Sequence, residues 1–209
     1  PLSTTNKEKD LGVVVTSDLK PSTQVARAAS AANSMLGRIR RTFTCLDQET
    51  VPALYKALVR PHMEYAIQTW SPYLRKDVNM MERVQRRATK LVKSIAHLTY
   101  PERLKRLGLT TLEKRRKRGD MIEVVKLING FDRLKMGGNF LELDGSRGNR
   151  RTRGHSKKLS KPRHRTWKRN QFFSSRVVNE WNELPERVIA CKTINNDNDN
   201  DNVFTGNPQ

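Results

Sequence analysis

The chain of 209 residues has only two cysteines, Cys45 and Cys191. They are far apart and lack the close Cys/His spacing of a zinc site, and a disulfide framework would need more of them, so both are expected to be plain thiols. No apolar run approaches the ~20 residues that cross a bilayer. The basic segments are not the Leu/Trp-rich amphipathic type that lies on a membrane. The opening PLSTTNKEKD is not a secretory signal. A soluble, intracellular protein with no membrane partner is therefore expected. Acid clusters are also missing: no two aspartates are adjacent, whereas metal-dependent polymerases and nucleases clamp two ions with grouped carboxylates. Most acids sit singly among Lys and Arg, where i, i+4 pairing explains them. His62, His97, His155 and His164 form no zinc-binding or His-Glu repeat, Gly137-Gly138 lacks the Lys-Ser/Thr of a phosphate loop, and no serine or cysteine nucleophile motif occurs. Neither a catalytic residue nor a metal or cofactor ligand is expected within this segment.

Positive charge is what the sequence has in excess. Lys and Arg number 41 against 21 Asp and Glu, a formal charge of +20. The last 17 residues contain three acids, Asp197, Asp199 and Asp201, and no Lys or Arg, so residues 1–192 carry +23. A chain with 35% hydrophobic residues can fold, but one this basic repels itself unless a polyanion is near, which makes nucleic acid the leading class of partner.

Hydrophobic periodicity divides the chain. Leu11-Gly12-Val13-Val14-Val15 reads as one short strand with no partner in the sequence. After Pro21 the period becomes that of a helix: Ser22 or Thr23 is a suitable cap, and Val25, Ala28, Ala29, Ala32, Met35, Leu36, Ile39 and Phe43 share a side. Asp47 can cap a second helix with Val51, Leu54, Tyr55 and Leu58 inward, kinked at Pro61 and resuming through Tyr65, Ala66 and Trp70. A third begins near Asp77, with Met80, Val84, Ala88, Leu91 and Ile95 as its core stripe. Pro101–Leu107 makes a short helix stopped by Gly108. The capping box Thr110-Thr111-Leu112-Glu113 then opens a helix to about Asn129 with Leu112, Ile122, Val125 and Ile128 inward. The expected fold class is mainly α, a helical bundle with one short N-terminal β-strand, a basic disordered arm and a short C-terminal helix. The expected divisions are 1–20 (strand), 21–132 (helical domain), 133–171 (arm), 172–192 (amphipathic helix through Phe172, Phe173, Val177, Trp181, Leu184, Val188 and Ile189) and 193–209 (Asn/Asp-rich tail).

Three basic runs are candidate phosphate contacts. Arg83, Arg86, Arg87, Lys90 and Lys93 recur at spacings of 3 and 4 opposite the core stripe of the third helix. Lys114, Arg115, Arg116, Lys117 and Arg118 crowd a helix start, against the macrodipole, a strain that an external anion would relieve. Residues 145–170 hold 11 Lys/Arg and no acid, with only Leu159 and Trp167 as sizeable apolar groups, too little to bury. In that arm Arg150, Arg151, Arg153, Lys157, Lys158, Arg163, Arg165, Lys168 and Arg169 are expected to meet phosphates, helped by His155 and His164, and Trp167 to stack on a base. Any one run reads as a solvated helix face; three together favour nucleic acid. Trp70 and Trp181 continue apolar stripes and read as core.

Several blocks then line up in order: Lys9-Asp10-Leu11-Gly12-Val13-Val14-Val15, Leu36-Gly37-Arg38-Ile39-Arg40-Arg41, Leu54-Tyr55-Lys56-Ala57-Leu58-Val59-Arg60-Pro61-His62-Met63-Glu64-Tyr65, Glu82-Arg83-Val84-Gln85-Arg86-Arg87-Ala88-Thr89-Lys90, Leu107-Gly108-Leu109 with Leu112-Glu113-Lys114-Arg115-Arg116, and Phe172-Phe173-Ser174-Ser175-Arg176-Val177-Val178-Asn179-Glu180-Trp181-Asn182-Glu183-Leu184-Pro185. Over about residues 7–194 they resemble the C-terminal third of the reverse transcriptase of jockey-type non-LTR retrotransposons (LINE elements). The resemblance implies that Leu11, Gly12 and Val13 belong to the primer-grip region at the end of the palm, that the helices from Ser22 to Asn129 form the thumb, and that the arm and the Trp181 helix are a post-thumb extension. The catalytic carboxylates, with the magnesium they hold, would lie in an upstream palm of the same polyprotein. The implied partners are the RNA template, the DNA primer or product and that palm, in a nuclear and cytoplasmic ribonucleoprotein. From Asn195 the family pattern stops, as expected of a decayed or truncated copy. A free-standing basic RNA-binding or ribosome-associated protein is the alternative, and a small nuclease is a third reading that no acidic cluster supports.

Overall fold

The structure, a computed structural model, describes residues 5–131, 140–144 and 154–189. It is a mainly α-helical bundle with a short β-hairpin at its N-terminal end. The chain divides into two compact units, residues 1–116 and 117–209, the division falling inside a helix at Leu112–Ile128.

The first unit opens with strands β1 (Lys7–Asp10) and β2 (Val13–Thr16), paired antiparallel with Lys7 opposite Thr16 and Asp10 opposite Val13. The strand expected to be alone therefore has a neighbour. Its partner was hidden because Lys-Glu-Lys-Asp is fully exposed and has no β-branched residue. Leu11 and Gly12 are not strand but the two-residue turn between them, both at positive φ (44° and 86°), the combination that a tight hairpin turn demands. Tyr65 Oη donates to Leu11 O (3.0 Å) and Arg27 Nη1 to Gly12 O (2.9 Å), pinning the turn to the helices.

Helix α1 (Ser22–Thr42) buries Val25, Ala28, Ala29, Ala32, Leu36 and Ile39, as its period dictates, while Phe43 lies beyond the helix end and is exposed. Its N-cap is Pro21 with no side-chain cap bond. Ser22 instead donates to Asp77 Oδ2 at 2.6 Å. The small alanine face lets α1 pack against α3 and α5. Next come α2 (Thr50–Leu54), a π-helical turn (Tyr55–Val59) and α3 (Arg60–Glu64). Pro61 has no N–H to close an α turn and its ring would strike the preceding carbonyl, so the helix widens just before it. The wider turn rotates the inward face by one residue: Val59 is buried and Leu58 is 40% exposed, the reverse of the expected stripe. After α4 (Ile67–Trp70), Trp70 is buried and donates to Tyr65 O at 2.8 Å.

Helix α5 (Arg75–Thr89) starts two residues before Asp77, which is not a cap but a buried carboxylate holding Ser22. The core stripe is Met81, Val84, Gln85 and Ala88, with Met80 at its margin. A 3-10 turn (Lys93–Ile95) follows, and α6 (Tyr100–Arg106) opens on a capping box of Thr99 and Glu102 and stops at Leu107, ahead of Gly108 at φ 57°. At the start of α7 (Leu112–Ile128), Thr111 Oγ1 accepts from Lys114 N at 3.2 Å.

The second unit has its own core. Met121, Val124 and Leu127 of α7, one residue out of step with the expected Ile122, Val125 and Ile128, meet Phe173, Val177, Val178 and Trp181 of α9 (Phe173–Asn182) and Ile189 of α10 (Glu186–Ile189). Helix α8 (Trp167–Asn170) precedes them. Residues 154–160, expected as part of an extended arm, instead pack here. Leu159 is buried and exchanges bonds with the Asn182 side chain, 2.8 Å each way. Trp181 Nε1 donates to Lys157 O, and Glu186 accepts from Ser156 N and Oγ. Two apolar side chains are too few to fold a segment of that length, but backbone hydrogen bonds to fixed side chains hold it without a large core of its own. The expected tail at 193–209 lies outside the described residues.

Candidate nucleic-acid interface

The C-terminal ends of α1 and α5 meet in the first unit and frame an open trough of about 1150 Å³. Its rim is Arg40 and Arg41 on one side and Arg87, Lys90 and Lys93 on the other, over a floor that includes Leu36, Gly37, Leu46 and Leu91. Among the described residues Asp47 is the one carboxylate in the lining, and it is occupied. Its Oδ1 accepts the backbone N–H groups of Thr50 (2.7 Å) and Glu49 (3.0 Å), and these bonds, the Thr50 one foremost, with the Cys45 thiol on Oδ2, lower its pKa to about 2. It thus caps the turn entering α2, as its position predicts. The same carboxylate pushes the Cys45 thiol up.

A smaller concavity of about 340 Å³ adjoins the trough, because Arg87 and Lys90 line both. Arg83, Arg86, Tyr100 and Arg103 complete it, and among the described residues no acid lines it. The Arg86 guanidinium lies 4.7 Å and that of Arg103 5.7 Å from the Tyr100 ring centre. A polar network fixes that ring. Tyr55 Oη donates to Gln85 Oε1 (2.6 Å), Gln85 Nε2 donates to Thr110 O (2.7 Å) and Tyr100 Oη (3.1 Å), and Tyr100 Oη donates to Glu82, whose other oxygen accepts from Leu112 N. Burial first, and the neighbouring carboxylate of Glu82, raise the Tyr100 pKa; burial raises that of Tyr55 as well. Both hydroxyls therefore stay protonated and act as donors.

The structure treats the expected cations unequally. Arg83, Arg86, Arg87, Lys90 and Lys93 are all exposed. Among the described residues none of them pairs with a carboxylate, nor do Arg40, Arg41 and Arg103. Arg87 makes one neutral bond, to Asn33 Oδ1 at 3.0 Å. The run at the start of α7 is already engaged. Arg115 grips Glu64 with two bonds (2.7 and 3.3 Å), Lys117 pairs with Glu180 at 3.0 Å, and Arg116 is buried; Lys114 remains exposed. Arg118 is partly buried. In the arm, Lys157 bonds Asn129 Oδ1, Arg169 stacks on Phe172, and Arg163, Arg165 and Lys168 are exposed, as is Trp167 at 56%. Lys158 is partly buried. His155 does not face solvent: it is buried against the Trp181 ring, with Nε2 3.0 Å from Trp181 O, and His164 bonds Ser175. Arg150, Arg151 and Arg153 lie outside the described residues.

Arg40, Arg41, Tyr100 and Arg103 were not singled out from sequence. The Arg40-Arg41 pair ending α1 was visible, but nothing in the sequence tells which helix end it would face. Among the described residues no group of three His, Cys, Asp or Glu is placed to hold a metal ion, and no described helix is long and apolar enough to cross a membrane. No family model, curated protein or solved structure matches the chain.

Proposed function

We propose that this chain is the thumb and post-thumb segment of a non-LTR retrotransposon reverse transcriptase, and that it holds template and primer through their phosphates, with no catalytic centre in the segment. The reading is supported by the ordered sequence blocks and, above all, by one observation. Eight cations around two adjoining concavities have no carboxylate partner among the described residues. Cations left unpaired together form a field that attracts a polyanion. Contacts of this kind position a duplex and carry no sequence information. Magnesium chemistry would belong to an upstream palm. The test is a titration of RNA–DNA hybrid by fluorescence anisotropy over a range of salt. With about six phosphates neutralised, affinity falls on the order of 10³-fold between 50 and 200 mM salt, alike for unrelated sequences. Binding that ignores salt, or that follows sequence, overturns the proposal.

A further inference from the structure

The two concavities differ in size and in charge density, and this difference carries an inference that rests on the function proposed above and deepens it. The trough, about 1150 Å³, is lined by cations from the ends of two helices and has room for a stretch of strand. The smaller pocket gathers Arg83, Arg86, Arg87, Lys90 and Arg103 around about 340 Å³. Five cations exceed what one phosphodiester, with a single charge, can neutralise. A phosphate monoester carries about −1.5 to −2 at neutral pH and three strong acceptor oxygens.

Arg103 makes the pocket a prepared one. It is only 4% exposed, yet no carboxylate among the described residues accompanies it. Its Nε donates to Thr89 Oγ1 at 3.0 Å and its Nη1 to Leu98 O at 2.6 Å, so the guanidinium plane is fixed before any ligand arrives. Its face is set by Tyr100, which the Gln85 and Glu82 bonds hold in turn. A guanidinium whose two partners are neutral has no counter-charge of its own among the described residues, and a fixed fork loses little freedom when it binds phosphate oxygens.

We propose that this pocket seats a terminal phosphate monoester of a nucleic-acid strand, and that the strand runs from there into the trough across the shared Arg87 and Lys90. The pocket thus recognises a strand end, whereas the trough grips any stretch of backbone. The experiment compares short single strands of one sequence bearing a 5′-phosphate, a 3′-phosphate or hydroxyls at both ends, by anisotropy on the full chain, with inorganic phosphate as a competitor. One phosphorylated end should bind on the order of tenfold more tightly than the hydroxyl-ended strand, the return on one or two additional charge-assisted hydrogen bonds. In the exposed-site variant Arg83→Ala/Arg86→Ala the phosphorylated and hydroxyl-ended strands should agree to within about twofold. Equal affinity of all three strands for the unaltered chain overturns the inference, as does a preference that survives the double substitution. Inorganic phosphate that binds as tightly as the phosphorylated strand also overturns it, since the pocket would then be a simple anion site. If the hydroxyl-ended strand still binds with steep salt dependence while phosphorylation adds nothing, the end-recognition inference alone falls. Loss of all salt-dependent binding removes both.

Discussion

Replacing Arg83, Arg86, Arg87 and Lys90 together by glutamine removes four of the eight cations that line the two concavities and have no carboxylate partner among the described residues. All four are exposed, Arg83, Arg86 and Arg87 on α5 and Lys90 at its C-cap, while the buried stripe is Met81, Val84, Gln85 and Ala88, so the helix and its packing should survive. The magnitude follows from counterion release: each phosphate neutralised contributes about 0.9 to the slope of log affinity against log salt. With about six phosphates engaged the slope is about −5.4, and with four contacts gone it should be about −1.8. The loss of affinity between 50 and 200 mM salt then shrinks from roughly 10³-fold to roughly tenfold. The control is Arg115→Gln. That side chain is committed to Glu64 by two bonds, so its loss should cost about 1–2 kcal/mol of stability. The salt slope should meanwhile stay within about 0.3 of the unaltered chain's, well short of the about 0.9 that each lost phosphate contact removes. Anisotropy at several potassium chloride concentrations gives the slopes, and urea denaturation gives the stability. A folded Arg115→Gln protein whose slope drops as far per charge as the quadruple variant would refute the distinction between paired and unpaired cations.

Other outcomes follow from the packing. Tyr55→Phe strips the donor from Gln85 Oε1 in a buried site and should cost about 1–3 kcal/mol in urea denaturation; a change under about 0.5 kcal/mol would show that the network is not as described. The Asp47 carboxyl should titrate near pH 2 by carbon NMR. Its folded pKa is depressed, so its contribution is fully present above the unfolded value of about 4 and fades as pH falls through about 2. A carboxyl resonance moving near pH 4 would exclude the capping bonds. Trp181→Ala should destabilise the second unit by about 3–5 kcal/mol, because it empties a core position and frees Lys157 O. Amide exchange at Val177 and Val178 should report it, and unchanged protection there would contradict the packing.

What could be read from sequence was whatever local periodicity controls. The α1 stripe from Val25 to Ile39 and the burial of Trp70 and Trp181 were legible, since 3.6-residue spacing alone decides them. Register errors arose where geometry departs from an ideal helix. The π turn before Pro61 exchanged Leu58 for Val59, and α7 turned by one residue because Met121, Val124 and Leu127 meet α9. Side chains with two available roles were decided by distant partners: Asp77 looked like a cap and holds Ser22 from 55 positions away, and His155 looked like a phosphate ligand and packs on Trp181. Of the site, the α5 cations were legible from their spacing, whereas Arg40, Arg41 and Arg103 required knowing which helix ends meet.

The same long-range pairing decides what the charge count means. Cations in the first turns of α7 oppose its macrodipole, and the sequence suggested that an external anion relieves them. Glu64 and Glu180 provide that relief from within, against Arg115 and Lys117 respectively. On α5 the situation is reversed. Arg86 and Arg87 occupy the last turn, where the exposed carbonyls favour positive charge. They can stand without a carboxylate at little cost to the fold. A helix that tolerates unpaired arginines at its end leaves their charge for a ligand, whereas one that would be destabilised by them must neutralise them itself. Similar counts of Lys and Arg on two helices, five on α5 and six on α7, therefore give unequal surfaces, and the end of the helix on which the charges fall helps decide which of them are left for an external anion.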